Sequence, residues 1–270
     1  MKHVRWIGVP AAGVLAAAGV LSVAGAPLAS AAPVLTSGGL AELGGVSGTS
    51  SSNWGGYADT QTGAYTYVSA NWTEPSYKCD GHSPESAAIW VGLDGYFKTS
   101  PTVEQGGTIA ICHGTKQGTH KAWWEMYPTN AVQEVFSVKV GDKMFASVTY
   151  GSGGTPYDIV VTDLTSGTSL NMHEACGSTP CNRSSAEWIV ETPTFNPGGT
   201  AYLPKFIKAI KFSAGLASQA PNGASPVSIA SFTHVSITLT NSTFATIRAL
   251  PSALSSSGQA FSVKWVSSAP

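Results

Sequence analysis

The sequence AEWIVE, residues Ala186–Glu191, places two carboxylates in a run that alternates like a β-strand. Because successive side chains of a strand point to opposite faces, Glu187 and Glu191 share one face. Antiparallel sheets often leave one face in water, where glutamate is an ordinary residue, so this pattern alone is compatible with a solvated surface. Two positioned carboxylates are also the groups that acid–base catalysis uses.

A second acid lies among aromatic residues in HKAWWEMYP, residues 120–128. As a strand, this run puts Glu125 on the same face as Trp123 and Tyr127. An acid with tryptophan and tyrosine beside it on its own face is typical of a cleft lining. Together the two runs favour a cleft in which carboxylates do the chemistry.

Two further runs place polar residues beside predicted strands. In AAIWVGLDGYF, residues 87–97, an apolar strand ends at a turn formed by Asp94 and the glycine after it. In PTVEQGG, residues 101–107, Gln105 and Glu104 point to opposite faces. A single glutamine is usually a surface amide, so Gln105 gains meaning only together with the other runs.

Familiar motifs of other catalytic classes do not occur in the sequence. There is no G-x-S-x-G pentapeptide, no Walker loop, no H-E-x-x-H and no glycine fingerprint for a dinucleotide. The sequence therefore predicts no cofactor, and carboxylate chemistry is the class that remains.

Residues 1–31 are predicted to be a secretory signal peptide. They begin with basic residues that include Lys2 and Arg5, continue through an uncharged Ala/Val/Leu/Gly run and end in the A-x-A cleavage pattern at 29–31. A membrane anchor is the alternative, since the apolar run approaches the lower length of a span, but the early Pro10 and the cleavage pattern disfavour it. We therefore expect a secreted, extracellular protein that has no membrane contact after the leader is removed.

Residues 32–52 are rich in small residues and are predicted to be a flexible linker or a short prosegment. The remaining residues, 53–270, have the length of a single β-rich domain. Alternating or apolar runs separated by Gly, Ser, Asn and Pro favour an all-β sandwich or barrel. The predicted strands are 64–73, 87–93, two within 134–150 that turn at 141–142, a hairpin within 157–172, 186–191, 206–212, 227–239 and 260–266.

The charge content of the chain is low. Without Lys2 and Arg5 of the leader, 12 of the 14 lysines and arginines remain against 15 acids, a net charge of about −3. This balance excludes the basic surface of a nucleic-acid-binding protein. Only 11% of the residues are charged, and few carboxylates means few groups whose protonation could unfold the domain, which suits an acidic medium. We expect a monomer.

Four cysteines follow the leader, and an even number in an exported protein favours disulfides. Cys176 and Cys181 enclose a short Gly/Ser/Pro loop and are expected to pair, which leaves Cys79 and Cys112 as the second pair. A zinc site is the alternative, but the neighbouring histidines show no spacing typical of zinc ligands, so no metal is expected.

Five motifs, in order along the chain, carry a resemblance to a known family: SSNWGGY, WVGLDGY, VEQGG, AWWEMYP and AEWIVE. Together they resemble the glutamic peptidases, also called eqolisins or peptidase family G1. The resemblance spans the chain from about Asn53 to its C-terminus. It implies an antiparallel two-sheet β-sandwich of the concanavalin A-like lectin/glucanase type, with a substrate cleft on the concave face.

The resemblance also implies roles for individual residues. It places the family's catalytic dyad on Gln105 and Glu191 and leaves Glu187 as a neighbour on the same face. The supporting and cleft positions fall on Trp54, Asp94, Trp123, Glu125 and Tyr127. The chain departs from the family pattern at Met126, where a tryptophan is common, and at Thr192, where the family often has aspartate.

The activity that the resemblance implies is hydrolysis of peptide bonds in proteins and peptides at acidic pH. Glu191 would act as a general base on water, and Gln105 would stabilise the tetrahedral oxyanion. Secreted glycoside hydrolases also use two carboxylates, but Glu187 and Glu191 are roughly 13 Å apart along a strand, too far for such a pair. A non-catalytic sandwich that binds peptide or glycan is the remaining alternative.

Overall fold

The computed structural model describes residues 28–29, 35–36, 48–151, 156–195 and 199–269. Most of the predicted signal peptide (1–31) and of the predicted linker (32–52) lies outside these ranges, so both stay predictions. Within the described ranges, no helix has the length and apolar character needed to cross a bilayer.

The described residues form 22 β-strands and two single-turn 3-10 helices, Pro221–Gly223 and Ile229–Ser231. The strands are β1 (Leu28–Ala29), β2 (Leu35–Thr36), β3 (Gly48–Ser51), β4 (Trp54–Asp59), β5 (Tyr67–Thr73), β6 (Tyr77–Lys78), β7 (Ser86–Leu93), β8 (Val103–His113), β9 (Lys116–Tyr127), β10 (Asn130–Ser137), β11 (Lys143–Tyr150), β12 (Tyr157–Asp163), β13 (Thr168–Glu174), β14 (Ala186–Glu191), β15 (Thr194–Phe195), β16 (Gly199–Thr200), β17 (Lys205–Phe206), β18 (Ile210–Ser218), β19 (Val227–Ser228), β20 (His234–Thr240), β21 (Ile247–Pro251) and β22 (Phe261–Trp265).

Two large sheets make up the domain. The first, which we call the site sheet, runs β10–β9–β8–β7–β14–β4–β20, and all of these neighbours are antiparallel. Strand β3 adds to β20 in parallel, and β21 and β22 extend the same sheet to the first part of β18. The second, the back sheet, runs β13–β12–β11–β5–β18–β19. Strand β18 therefore belongs to both sheets.

Alternation along β14 shows how the two sheets pack. Trp188 and Val190 point into the main core together with Val68 and Val148 of the back sheet. The indole Nε1 of Trp188 crosses the core and donates a hydrogen bond to the backbone carbonyl of Ser69 at 2.8 Å. A period of two buries one face of each strand between the sheets and leaves the other face of the site sheet for a separate set of residues. The all-β, two-sheet sandwich predicted from the sequence is confirmed.

Both predicted disulfides are present, Cys79–Cys112 and Cys176–Cys181. Three predicted segments differ from the structure. The strand predicted over 206–212 is interrupted at 207–209, so it falls partly in β17 and partly in β18. The two strands predicted within 134–150 do not pair with each other, because β10 pairs with β9 in the site sheet while β11 pairs with β5 and β12 in the back sheet. The single strand predicted over 227–239 is broken by the 3-10 turn Ile229–Ser231 into β19 and β20.

Candidate active site

The strand register places Gln105 and Glu191 on the same face of the site sheet. Glu191 of β14 lies opposite Ala88 of β7, and Gly92 of β7 lies opposite Gln105 of β8. Ala88 and Gly92 are four residues apart on one strand, so their faces are the same, and directly opposed residues share a face. The two polar side chains therefore lie on one face of three adjacent strands, β14, β7 and β8. That face points away from the main core.

Gln105 is held by Glu125. The two residues are directly opposed in the β8–β9 pair, and the amide Nε2 of Gln105 donates to Oε2 of Glu125 at 2.6 Å. Both side chains are buried. Within the described ranges the amide Oε1 of Gln105 has no hydrogen-bond partner. One end of the amide is therefore fixed while the oxygen remains available as an acceptor.

Gly92 allows Gln105 to pack closely on its neighbours. A Cβ at this position would lie 3.0 Å from the indole ring of Trp90 and 3.2 Å from Cβ of Gln105. Both distances are below ordinary van der Waals contact, so a larger residue at this position would displace one of the two side chains.

Trp90 and Asn53 are among the residues that hold Glu191. The indole Nε1 of Trp90 donates to Oε2 of Glu191 at 2.8 Å, and Nδ2 of Asn53 donates to Oε1 at 3.3 Å. Asn53 is itself oriented by the hydroxyl of Ser51, which donates to its Oδ1 at 3.0 Å. Hydrogen bonds that a carboxylate accepts favour its ionised form. Glu191 is therefore oriented by donors that favour its carboxylate form, the form a base requires.

An aromatic cluster surrounds these polar groups. Trp54 lies opposite Glu191 in the β4–β14 pair and packs edge-on against Trp90, with 4.8 Å between ring centroids. Trp123 is buried in the same cluster, and the half-buried Tyr127 packs at its border. The structure thus brings Trp54 and Trp123 to the face that carries Gln105 and Glu191.

Asp94 is bound into the loops at the end of β7. The backbone of Asp94 has a φ of 69°. The carboxylate of Asp94 accepts hydrogen bonds from two backbone N–H groups and three hydroxyls. These donors belong to Ser100, Thr102, Arg183 and Ser184. Asp94 therefore joins the β7–β8 loop to the segment before β14, and the described contacts give it the role of an anchor for both strands.

Glu187 has a different environment from Glu191. It lies opposite Gly92 on β14 and is fully buried. Burial raises the pKa of Glu187 well above its usual range, and the nearby carboxyls of Asp94 and Glu104 add to the increase. Burial thus favours the protonated form of Glu187, whereas Glu191 has donors for its charge.

Arg248 fixes the chain just after Glu191. Its buried guanidinium donates to Oγ1 of Thr192 at 3.1 Å and to the carbonyl of Ala201 at 2.7 Å. Burial lowers the pKa of Arg248 to about 10, which leaves the side chain charged at acidic pH. Thr192 also donates its backbone N–H to the carbonyl of Asn53 at 2.9 Å. Thr192, which departs from the family pattern, is thus held by hydrogen bonds through both its side chain and its backbone.

Potential metal ligands come together at one place in the described ranges, where Cys79, Cys112 and Glu85 lie within 4.8 Å of one another. The two cysteines form a disulfide, so their sulfurs are not thiolate ligands. The carboxylate of Glu85 accepts hydrogen bonds from the backbone N–H groups of Asp80 and Gly81. The Cys79–Cys112 disulfide and Glu85 therefore stabilise the loop that precedes β7.

Sequence reasoning missed Asn53, Trp90 and Arg248. Asn53 and Trp90 lie inside the motifs SSNWGGY and WVGLDGY, and the even spacing of Ala88, Trp90 and Gly92 on β7 places these three residues on one face. Local patterns do not show that this face meets Glu191, because the β7–β14 register joins residues about 100 positions apart.

Comparisons with known proteins bear on the family and the fold of this chain. The family model described as the Peptidase A4 family matches residues 52–265. A crystal structure of Scytalido-glutamic peptidase with a peptide-based transition-state analogue is 23% identical, has a TM-score of 0.64 and covers 80% of this chain and 98% of that one. SCP-B, an eqolisin-family member in complex with the tripeptide Ala-Ile-His, is 22% identical with a TM-score of 0.62 and the same coverage.

The aspergilloglutamic peptidase of Aspergillus niger is 22% identical, with a TM-score of 0.53 and coverage of 67% of this chain and 99% of that one. These likenesses show the fold. No curated relative matches the chain. The family model covers most of the chain, and on that ground the chain belongs to the Peptidase A4 family, the eqolisins or G1 glutamic peptidases.

Proposed function

We propose that this glutamic peptidase is a secreted acid endopeptidase whose catalytic dyad is Gln105 and Glu191. The observation that carries the proposal is their common face on three adjacent strands, with a different set of partners for each. Glu125 orients the amide, and Trp90 and Asn53 orient the carboxylate. Amide hydrolysis without a metal needs a base for water and a hydrogen-bond donor for the oxyanion. An ionisable acid and an amide, each oriented by its own partners on one face, can supply these two functions.

The chemistry begins with a water molecule between the two groups. Glu191 takes a proton from this water, and the water oxygen forms a bond to the carbonyl carbon of the peptide. The carbonyl oxygen becomes an oxyanion and accepts an N–H of Gln105. Glu191 then passes its proton to the leaving nitrogen as the C–N bond breaks, which regenerates the carboxylate.

Gln105 has the right number of hydrogen-bonding groups for this role. Its NH₂ has two hydrogens, and one of them serves the bond to Glu125. The second remains for the oxyanion, and Oε1 remains for a proton of the attacking water. An amide keeps these roles at every acidic pH, whereas a carboxyl group in the same place would change role on protonation.

The substrates in this proposal are proteins and peptides, bound along the aromatic face that contains Trp54, Trp90 and Trp123. The relatives Scytalido-glutamic peptidase and SCP-B are seen with a peptide-based analogue and a tripeptide. The predicted leader, the two disulfides and the low charge support secretion into an acidic medium. The proposal needs no metal, organic cofactor, nucleic acid, membrane or second subunit.

The test is digestion of a reduced and alkylated protein by the mature enzyme between pH 2 and 7. The matched variants are Gln105→Ala and Glu191→Gln, with Gln133→Ala on exposed β10 as the control. We expect cleavage in acid only, a fall of about 10²–10³-fold in kcat for Gln105→Ala and at least a comparable fall for Glu191→Gln. Full activity at neutral pH, or activity retained by either dyad variant with correct folding, contradicts the mechanism.

The same preparations separate the peptidase from the alternatives. If the wild type cleaves oligosaccharides and no protein, the aromatic face belongs to a glycoside hydrolase. If it binds peptide without turnover at any pH, it is a binding protein on the same fold.

A further inference from the structure

A groove opens where β18 leaves the back sheet. Ser213 of β18 is opposite Asn71 of β5, but the preceding residues, Ile210–Phe212, pair with β22 of the site sheet. The two strands diverge at this point, and the gap forms a cavity of about 740 Å³, which we call the β5–β18 groove. Its size is within the range of pockets that hold one small organic ligand. None of the residues assigned to the active site lines it.

The floor of the groove is the main core itself. Trp72, Met144 and Ile210 line it, and all three are buried members of the core between the sheets. Trp72 directs its indole Nε1 inward to the hydroxyl of Thr108 at 3.1 Å, so its polar atom is used and its ring is left for apolar contact. These three side chains are at most 2% exposed, so the floor is closely packed, and the apolar area from which a ligand could displace water lies on the rim.

The rim is also apolar. Val140, Leu164 and Ile207 line the groove and are 45%, 55% and 55% exposed. They are three of the eight large apolar side chains that are exposed within the described ranges. Scattered single apolar residues are normal on a surface, but several together at one concave site indicate a binding surface.

The charge at the groove is positive. Lys143, Lys208 and Lys211 line it and are exposed. Glu74 is the one acidic residue among the described lining residues, and it turns inward to His120, with 2.6 Å between its Oε1 and the ring Nδ1. In a chain whose formal net charge is −1, three lysines around one groove, none of them in an ion pair with a described residue, are a local concentration of positive charge.

Two other acids lie next to lining residues, and among the described residues neither makes an ion pair with these lysines. Asp163 accepts hydrogen bonds from the backbone N–H groups of Thr165 and Ser166 in its own turn. Asp142 accepts the backbone N–H of Lys139. Both carboxylates are thus committed to turn geometry.

We propose that the β5–β18 groove is a binding site for one single-chain amphiphile with an anionic head group. The apolar chain lies between the exposed rim residues Val140, Leu164 and Ile207, above the closely packed floor, and the anionic head lies among the lysines. The site is separate from peptide hydrolysis and does not depend on the proposed catalytic dyad.

The experiment is isothermal titration calorimetry of the full mature protein at pH 4 with decanesulfonate, below the concentration at which it forms micelles. Decanesulfonate keeps its charge at this pH, and decyltrimethylammonium supplies the same chain with the opposite charge. The groove variants are Ile207→Ser and the double variant Lys208→Glu/Lys211→Glu. Their matched controls are Val135→Ser, an exposed valine on β10, and Lys264→Glu, an exposed lysine on β22.

We expect decanesulfonate to bind with a stoichiometry of one and decyltrimethylammonium to bind at least tenfold more weakly. Both groove variants weaken decanesulfonate binding at least tenfold, and both controls stay within twofold of the wild type. Several sites of equal strength that no variant changes, equal binding of both surfactants, or no binding overturns the proposal. A dimer in sedimentation that Ile207→Ser converts to monomer also overturns it, since the groove is then an interface between copies of the chain.

Discussion

Gln105 and Glu125 lie directly opposite each other on β8 and β9 and share a hydrogen bond of 2.6 Å. This pairing gives the amide a direction. Because a carboxylate only accepts, it selects the NH₂ end of Gln105 and leaves the amide oxygen pointing elsewhere. In the proposed mechanism Glu125 is therefore a positioning residue that determines which amide atoms face the substrate.

The first prediction concerns this direction. Glu125→Gln replaces an acceptor with a group that can also donate, so either orientation of the Gln105 amide becomes possible. We expect kcat on a peptide substrate to fall by about 10-fold to 10²-fold with little change in KM, since the ground-state contacts remain. Steady-state kinetics at the acidic optimum measures both constants.

Glu134→Gln, on the exposed face of β10, is the control for this prediction. This variant makes the same Glu-to-Gln change at a residue that does not contact Gln105. A loss of activity of the same size in both variants, or an unchanged kcat in Glu125→Gln, would remove Glu125 from the site.

The second prediction concerns Trp90, which donates to Glu191 at 2.8 Å. Trp90→Phe keeps an aromatic ring against Trp54 but removes the N–H that favours the ionised carboxylate. The base then holds its proton to higher pH, so the acidic limb of the pH–activity profile shifts upward and kcat falls by about 10-fold. The measurement is kcat against pH between 2 and 6.

Trp265→Phe is the matched control. This variant also removes an indole hydrogen bond, from Nε1 of Trp265 to the carbonyl of Leu203 at 3.2 Å, but the residue lies on β22, outside the candidate site. Its pH profile is expected to keep the position of the wild-type acidic limb. If Trp90→Phe leaves the limb in place, the indole N–H does not control the ionisation of Glu191.

Part of this site could be predicted from local sequence. The bounds of Ala186–Glu191 and the opposite faces of its residues follow from alternation, and Met126 faces the main core as its strand position predicts. The roles of Trp90 and Asn53 could not be predicted in the same way, because they depend on pairings between distant strands. Short-range patterns determine which face a residue takes, but only the register determines which residues meet on it.

The departures in the fold have the same cause. Strand β18 changes sheets after Phe212, and the segment after β10 crosses from the site sheet to the back sheet. Each strand is locally an ordinary alternating strand, and its partner is chosen by packing against residues far along the chain. The β5–β18 groove is a consequence of one such crossing and left no sign in the local pattern.

The third prediction concerns Arg248, whose guanidinium holds Thr192 and Ala201. Arg248→Met removes these hydrogen bonds and leaves buried oxygens without donors. We expect a loss of about 2–4 kcal/mol in the free energy of unfolding, measured by urea denaturation at pH 4. Lys264→Met, at an exposed position, should change the stability by less than about 0.5 kcal/mol. A variant as stable as the wild type would show that water replaces the guanidinium.

The fourth prediction is that the protein is most stable in acid and loses stability as the pH rises. Burial raises the pKa values of Glu187 and Glu104 well above their usual range, and burial raises the pKa of Asp59 to about 9. In the unfolded chain these groups titrate near about 4, so above that pH the unfolded state releases protons that the folded state keeps. The free energy of unfolding therefore falls from about pH 4 upward until the folded groups ionise, by up to about 1.4 kcal/mol per pH unit for each group.

Glu187→Gln tests this linkage at one position, because the amide has nearly the shape of the protonated acid but no proton to release. We expect urea denaturation at pH 3, 5 and 7 to give a slope of stability against pH that is shallower by one proton, with stability at pH 3 close to that of the wild type. Glu134→Gln, which removes an exposed carboxyl, should keep the wild-type slope. Two results would contradict this prediction: a free energy of unfolding that increases between pH 4 and 7, or a slope that Glu187→Gln leaves unchanged. Either result would mean that the buried acids ionise in the folded protein. The effect of pH on activity would then come from Glu191 alone.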